Sequence, residues 1–255
     1  MTTQATMTDV AAYALRLGDD ALVLSQRLAW WCSKSPEIEE DLAVANIALD
    51  LLGQARALLS YAGELEGLGR DEDALAYLRS EGEFTNLLLV EHDNGDFAVT
   101  TARQLLFSTY QLALYRRLAE SRDETLAGVA GKAVKEVAYH RDHATKWTLR
   151  LGDGTDESHR RMQAGLERVW PYAAEMFGPD ALTDRLSAAG VGVDPGALRA
   201  AWDEYVDGVL AEATLARPQT DWHPSGGRRG VHTEGFGYLI AELQHLHRSF
   251  PGASW

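Results

Sequence analysis

The chain is predicted to be all-α, a long four-helix bundle with one long crossover between its second and third helices and further helices toward the C-terminus. Three observations predict this. Apolar residues recur at spacings of three and four through four long stretches, Gly and Pro punctuate the joins between them, and a Gly-, Asp- and Glu-rich segment separates the second stretch from the third. At ~1.5 Å per residue, helices of this length reach on the order of 40 Å, the dimension of such a bundle.

The first helix is expected over residues 9–32, where Ala12, Leu15, Leu22, Leu24, Leu28 and Trp31 keep the helical period and Thr8 is placed to cap. The second has the strongest start signal. Ser35 can cap, Pro36 takes the first helical position, and Glu37, Glu39 and Glu40 complement the positive end of the dipole, so the helix is expected to run to about residue 65. Residues 67–95 read as the crossover, with a short helix near 73–79. The third and fourth helices are expected over 96–121 and 123–151, the latter ending on Gly152 as a left-handed cap. A fifth, 156–177, contains Pro171, which removes a backbone donor and should kink or divide it, and Thr155 or Asp156 should cap its start. A sixth is expected over 195–214, then a Pro- and Gly-rich loop over 217–230 and a last helix over 232–249. No fixed-period repeat or low-complexity tract suggests a cut, so one domain over 1–255 is expected, its bundle over about 9–151.

Composition bounds the function. Twenty-four Lys and Arg stand against 38 Asp and Glu, a formal net charge of −14, which repels phosphate backbones and anionic lipid, so no nucleic-acid or membrane partner is expected. The single cysteine, Cys32, forbids an internal disulfide or a cysteine-held metal. It follows two tryptophans and reads as a small core residue in a reducing, cytoplasmic setting. The N-terminus lacks a basic leader, and no apolar run is expected to approach the roughly 18 residues that span a bilayer.

Chemistry is suggested only by the segment KAVKEVAYHRDH at 132–143, which puts Glu136, His140 and His143 within two turns. Di-iron bundles use a Glu-x-x-His pair on each of two helices and a carboxylate from each of the others, all converging at mid-height. Here Tyr139 stands three after Glu136, and His140 lies four after it, about 40° further round. The first helix offers Asp19 and Asp20. The second offers Asp50, with Gly53 where a histidine is wanted and Gln54 beside it, and the third has Ser108, Thr109 and Gln111 but no acid. Too few anionic donors remain to offset the repulsion between two close cations. An internal polar network is therefore the favoured reading of Asp19, Asp20, Asp50, Gln54, Glu136 and His140, with Arg56, Lys132, Lys135, Arg141 or a protonated His140 as partners and no metal. The competing reading is a self-sufficient di-iron oxygenase or oxidase with Asp19 or Asp20, Asp50, Glu136, His140 and His143 as ligands. A second cluster, His223, His232, Glu234, His245 and His247, lacks acids at ligand spacing beyond Glu234 and Glu242. Trp30, Trp31, Phe107, Tyr110 and Tyr115 read as core or as a contact between subunits.

Five segments carry a resemblance: YALRLGDDALVLSQRL at 13–28, EEDLAVANIALDLLGQAR at 39–56, FTNLLLVEHDNGDFAVTTARQ at 84–104, KEVAYH at 135–140 and GGRRGVHTEGFGYLIAELQHLHRSFPG at 226–252. From near Ala11 to Trp255 the chain resembles the C subunits of the ring-oxidising phenylacetyl-CoA 1,2-epoxidases. The resemblance implies a ferritin-like bundle without catalytic activity or cofactor of its own. Such a bundle supports a homologous catalytic A subunit that holds the di-iron centre. It also implies a small B subunit and a transient reductase carrying FAD and an iron–sulfur cluster, the whole using NADPH and O2 in aerobic phenylacetate catabolism. A homodimer of the chain alone is left open, and helices one to three, with Trp30, Trp31 and Tyr110, are expected to form part of the contact with the A subunit.

Overall fold

The computed structural model describes residues 6–253, and among them it is all-α. Four long helices, α1 (Met7–Ala29), α2 (Ile38–Glu66), α5 (Phe97–Leu118) and α6 (Glu124–Gly152), follow the order of the ferritin-like class. The short α3 (Glu72–Tyr77) and α4 (Leu88–Glu91) occupy the crossover after α2, and α7 (Asp156–Val169), α8 (Ala181–Ala188), α9 (Arg199–Glu212) and α10 (Phe236–Ser249) complete the chain. The chain divides into two compact units. One is Asn94–Pro224, and the other joins the described residues through Asp93 to those from Ser225 onward.

In the first unit α5 packs on α6, α7 and α9 and is buried on almost every face. Two of its hydroxyls are satisfied inside the helix, while the buried Arg103 and Thr100 bond to Asn94 ahead of it. Ser108 Oγ donates to the Gln104 carbonyl and Thr109 Oγ1 to that of Leu105, at 2.5 and 2.7 Å, the back-bond available to a hydroxyl one turn on. Trp202 of α9 is buried against Trp170 and Phe177 and donates its indole N–H to the Leu106 carbonyl at 2.9 Å. In the second unit α1 lies along α2, pinned by Ser25 Oγ donating to the Ala48 carbonyl at 2.7 Å. There α10 packs on α3, with Gln244 donating to the carbonyls of Ala76 and Arg79.

Several boundaries differ from the sequence reading, each for a local reason. The cap of α1 is Thr6 rather than Thr8, because Thr6 and Asp9 exchange reciprocal side-chain bonds. Ser35 and Pro36 do not start α2. Ser33 takes a left-handed φ of 65°, its N–H donates to Asp41, and the turn runs on until Glu37 becomes an N-cap with no side-chain bond. Gly152 is not a left-handed cap: it closes α6, with Asp153 as C-cap, and a Cβ there would lie 2.4 Å from the Ala213 carbonyl oxygen. Pro171 does divide the fifth helix, Trp170–Phe177 continuing as 3-10 turns, and Thr155 caps its start. α8, capped by Asp180, had no counterpart in the sequence reading. Cys32 is exposed rather than in the core, and α2 is, by length and composition alone, long and apolar enough to cross a membrane.

Candidate functional site

The crossover sets the problem that the buried charges solve. Between α3 and α4 the chain runs through residues 84–87 in extended form, buried apart from the half-buried Thr85, so its backbone groups have no helical partners. A buried backbone N–H or C=O without a partner costs about 1–3 kcal/mol. Three charged pairs supply those partners, drawn from α1, the crossover and the segment before α10.

Asp19 is fully buried and forms a forked pair with Arg79, while Thr85 donates to its Oδ2 from both N–H (2.8 Å) and Oγ1 (3.1 Å). Arg79 stacks on the Phe84 ring at 4.1 Å and donates to the carbonyls of Leu75 and Glu83. Asp20 is held by Arg228, Nη1 to Oδ1 at 3.1 Å and Nη2 to Oδ2 at 2.7 Å, and accepts the Leu87 N–H at 2.7 Å. The same guanidinium donates to the carbonyls of Thr85 and Arg16. Glu91 and the His232 ring are both fully buried and meet at 2.7 Å through Oε2 and Nδ1. Glu91 also accepts from Asn86 Nδ2 and from the Thr233 N–H, and His232 Nε2 lies 3.0 Å from the Phe84 carbonyl oxygen. Three carboxylates thus stand beside three basic groups, which is how buried charge is tolerated at low dielectric. Burial pushes the Asp20 carboxyl up to about 6 against the pull of Arg228. Burial lowers the His232 pKa, but the Glu91 carboxylate more than offsets this and holds the ring above its ordinary value.

This arrangement bears on the predicted site residues. A carboxylate has about four acceptor positions. Asp19 accepts four bonds from Arg79 and Thr85, three on Oδ2 and one on Oδ1, and Asp20 accepts three from Arg228 and Leu87, so both carboxylates are engaged by arginine and backbone. Asp50 and Gln54 lie on α2, the first half-buried and the second buried, in the unit that holds Asp19 and Asp20. Glu136, half-buried, and His140, buried, stand one turn apart on α6 in the other unit. Among the described residues no three His, Cys, Asp or Glu side chains come together as a metal-ligand group.

The bases expected to neutralise these acids are not those that hold Asp19 and Asp20. Arg56 is exposed on Glu72, Lys132 and Lys135 are exposed, and Arg141 stacks on Tyr205. Arg79 and Arg228 neutralise them from 60 and 208 positions away. His232, read with Glu234 and Glu242, pairs instead with Glu91. The available signal was an acid closing the apolar run LLLVE and a double arginine between glycines in GGRRG. The Gly230 φ is 72°, and a Cβ there would lie 2.1 Å from the Gly82 carbonyl oxygen, so that segment lies directly on the crossover backbone. Of the aromatics expected at a contact, Trp31 and Tyr110 are buried, as are Phe107 and Tyr115, and only Trp30 is largely exposed.

A protein of this class, with long helices in ferritin-like order and the two acids of its first helix tied to arginines, has known relatives. The sequence matches the phenylacetic acid catabolic protein family over residues 1–255, and the chain belongs to that family. It is similar to the C subunit of the 1,2-phenylacetyl-CoA epoxidase of Escherichia coli (strain K12), with 51% identity over 249 residues, covering 98% of this chain and all of the relative.

Proposed function

We propose that this chain is a structural, non-catalytic subunit of a multicomponent phenylacetyl-CoA 1,2-epoxidase in the cytoplasm, bracing a homologous A subunit that carries the di-iron centre. A small B subunit and a reductase with FAD and an iron–sulfur cluster complete the proposed complex, in which this chain holds no cofactor. The observation that carries the reading is Asp19, which is engaged by the Arg79 guanidinium and by Thr85 where a ferritin-like oxygenase needs a ligand. The likeness to the Escherichia coli protein supports it.

The contact surface best suited to such a partner is on α2. Ile38, Leu42, Leu49 and Leu52 are 78, 61, 63 and 43% exposed. At 100° per residue they fall within about 80° of arc, a continuous apolar stripe. An apolar strip of this kind marks an interface more often than free surface. It replaces Trp31 and Tyr110 in the expected contact, and it explains why an apolar helix of membrane-crossing length carries Asn46, Asp50 and Gln54 round its other side.

The test is co-expression with the A subunit, followed by size measurement and iron analysis of each chain. The expected result is a stable complex with iron in the A chain and none in this one. Two irons per copy of this chain would overturn the reading. Leu42→Glu with Leu49→Glu should abolish co-purification while leaving the helical content and melting temperature of the isolated chain unchanged.

A further inference from the structure

The segment 225–235 is joined to the crossover by contacts of two kinds. Most are permanent at ordinary pH, such as Arg228 on Asp20 and on the Thr85 carbonyl. One is not. His232 faces acceptors on both sides, the Phe84 carbonyl oxygen 3.0 Å from Nε2 and the Glu91 carboxylate 2.7 Å from Nδ1. A carbonyl oxygen can only accept, so Nε2 must carry a hydrogen. A second hydrogen must then lie between Nδ1 and Oε2, whichever atom owns it, because otherwise two lone pairs face each other at that distance. Glu91 already accepts from Asn86 Nδ2 at 2.9 Å and from the Thr233 N–H at 2.6 Å, donors suited to its ionised form, which assigns the proton to the ring.

We propose that residues 225–235 form a proton-gated clasp: protonated His232 locks the segment onto Glu91 and the Phe84 carbonyl, and loss of that proton lets it lift from residues 84–87. Lifting would also remove Arg228 from Asp20 and the Thr233 N–H from Glu91, so the two buried carboxylates and the extended backbone open to water together. The charged groups on the elements packed here bear on the sign. They are Asp20 and Arg27 on α1, Arg79, Glu81, Glu91, His92 and Asp93 in the crossover, Arg228, Arg229 and Glu234 in the clasp itself, and Glu242 on α10. Those that act on the ring's charge are Glu91 and Glu81, both favouring the charged ring. The ring is thus held above its ordinary 6.5 in the closed state and reverts when the clasp opens. Closure is at full strength below that value and weakens as pH rises through the closed-state pKa. Burial also raises the Asp20 carboxyl in the closed state, so its linkage weakens closure with rising pH in the same sense, and His232→Gln isolates the share of the ring.

Amide hydrogen exchange on the full chain between pH 6 and 9, corrected for the intrinsic pH dependence of exchange, reads the clasp directly. Peptides covering 225–235 and 84–87 should keep constant protection up to about pH 6.5 and then lose it by up to tenfold per pH unit, one proton being linked to opening. Peptides from α5 should show no such step. In His232→Gln the clasp peptides should already exchange at least tenfold faster at pH 6.5, with the step gone. Protection of 225–235 that stays flat from pH 6 to 9 in the wild type, or a step that persists in His232→Gln, overturns the proposal. Should His232→Gln not fold, ring-nitrogen NMR of the wild type decides. One histidine must lose its second ring proton at the pH of the exchange step, and a mismatch between the two overturns the proposal as well.

Discussion

The two compact units bury polar groups in different proportions of local and distant bonding. Around α5, two hydroxyls bond to carbonyls four residues back on the same helix, the buried Arg103 reaches Asn94 only nine residues back, and Trp202 donates to the Leu106 carbonyl between neutral groups. Around residues 84–87, charged side chains from α1 and from the segment before α10 serve backbone that has no helix to serve it. Fragility follows the distant charges. A locally satisfied group loses little when altered, because the helix persists without it. A buried ion pair that loses one partner leaves an uncompensated charge in a medium that cannot solvate it.

The comparison can be broken by mutation, beginning where the effect should be largest. Arg228→Ala leaves Asp20 buried opposite no base and frees the carbonyls of Thr85 and Arg16, so a loss of about 3–5 kcal/mol is expected by urea unfolding. A loss below about 1 kcal/mol would show that the pair is already open to water. Trp202→Phe, in the other unit, keeps most of the packing and removes one neutral hydrogen bond, for about 1–2 kcal/mol. Thr109→Val and Ser108→Ala remove only back-bonds within α5 and should each change stability by less than about 1 kcal/mol.

A pH series sharpens the contrast further. Because the folded-state Asp20 carboxyl is raised to about 6 from an unfolded value near 3.8, the protonated group favours the folded state. That contribution is fully present below about pH 4 and is lost as pH rises through 6. The melting temperature of Asp20→Asn should therefore gain on the wild type between pH 4 and 7. No such gain is expected for Thr109→Val, which alters no titrating group. Equal pH profiles for Asp20→Asn and the wild type would place the carboxyl in solvent.

Much of the helical order was readable without coordinates because helix formation depends on neighbours three and four residues apart, and Leu, Ala and Glu at that spacing carry their own instructions. Asp96, Asp123 and Thr155 announce the starts of α5, α6 and α7, and Pro171 announces the break. The start of α2 was misread for the complementary reason: Ser35–Pro36 has the local chemistry of a cap, but the left-handed Ser33 and its bond to Asp41 set where the helix begins. The count of candidate ligands is likewise a property of residue types and spacing, with Gly53 and Tyr139 standing where the di-iron pattern places imidazoles.

Which base answers which buried acid could be decided only by the tertiary structure. Asp19 meets Arg79 and Asp20 meets Arg228 because the extended stretch 84–87 needs partners at that place, and a hydrogen bond across 208 residues leaves no periodic trace in the chain. Sequence alone determined where helices can form and how few metal donors they bring. The charge pairing came from folding, since desolvation forces each buried ion onto whichever opposite charge the packed backbone sets beside it.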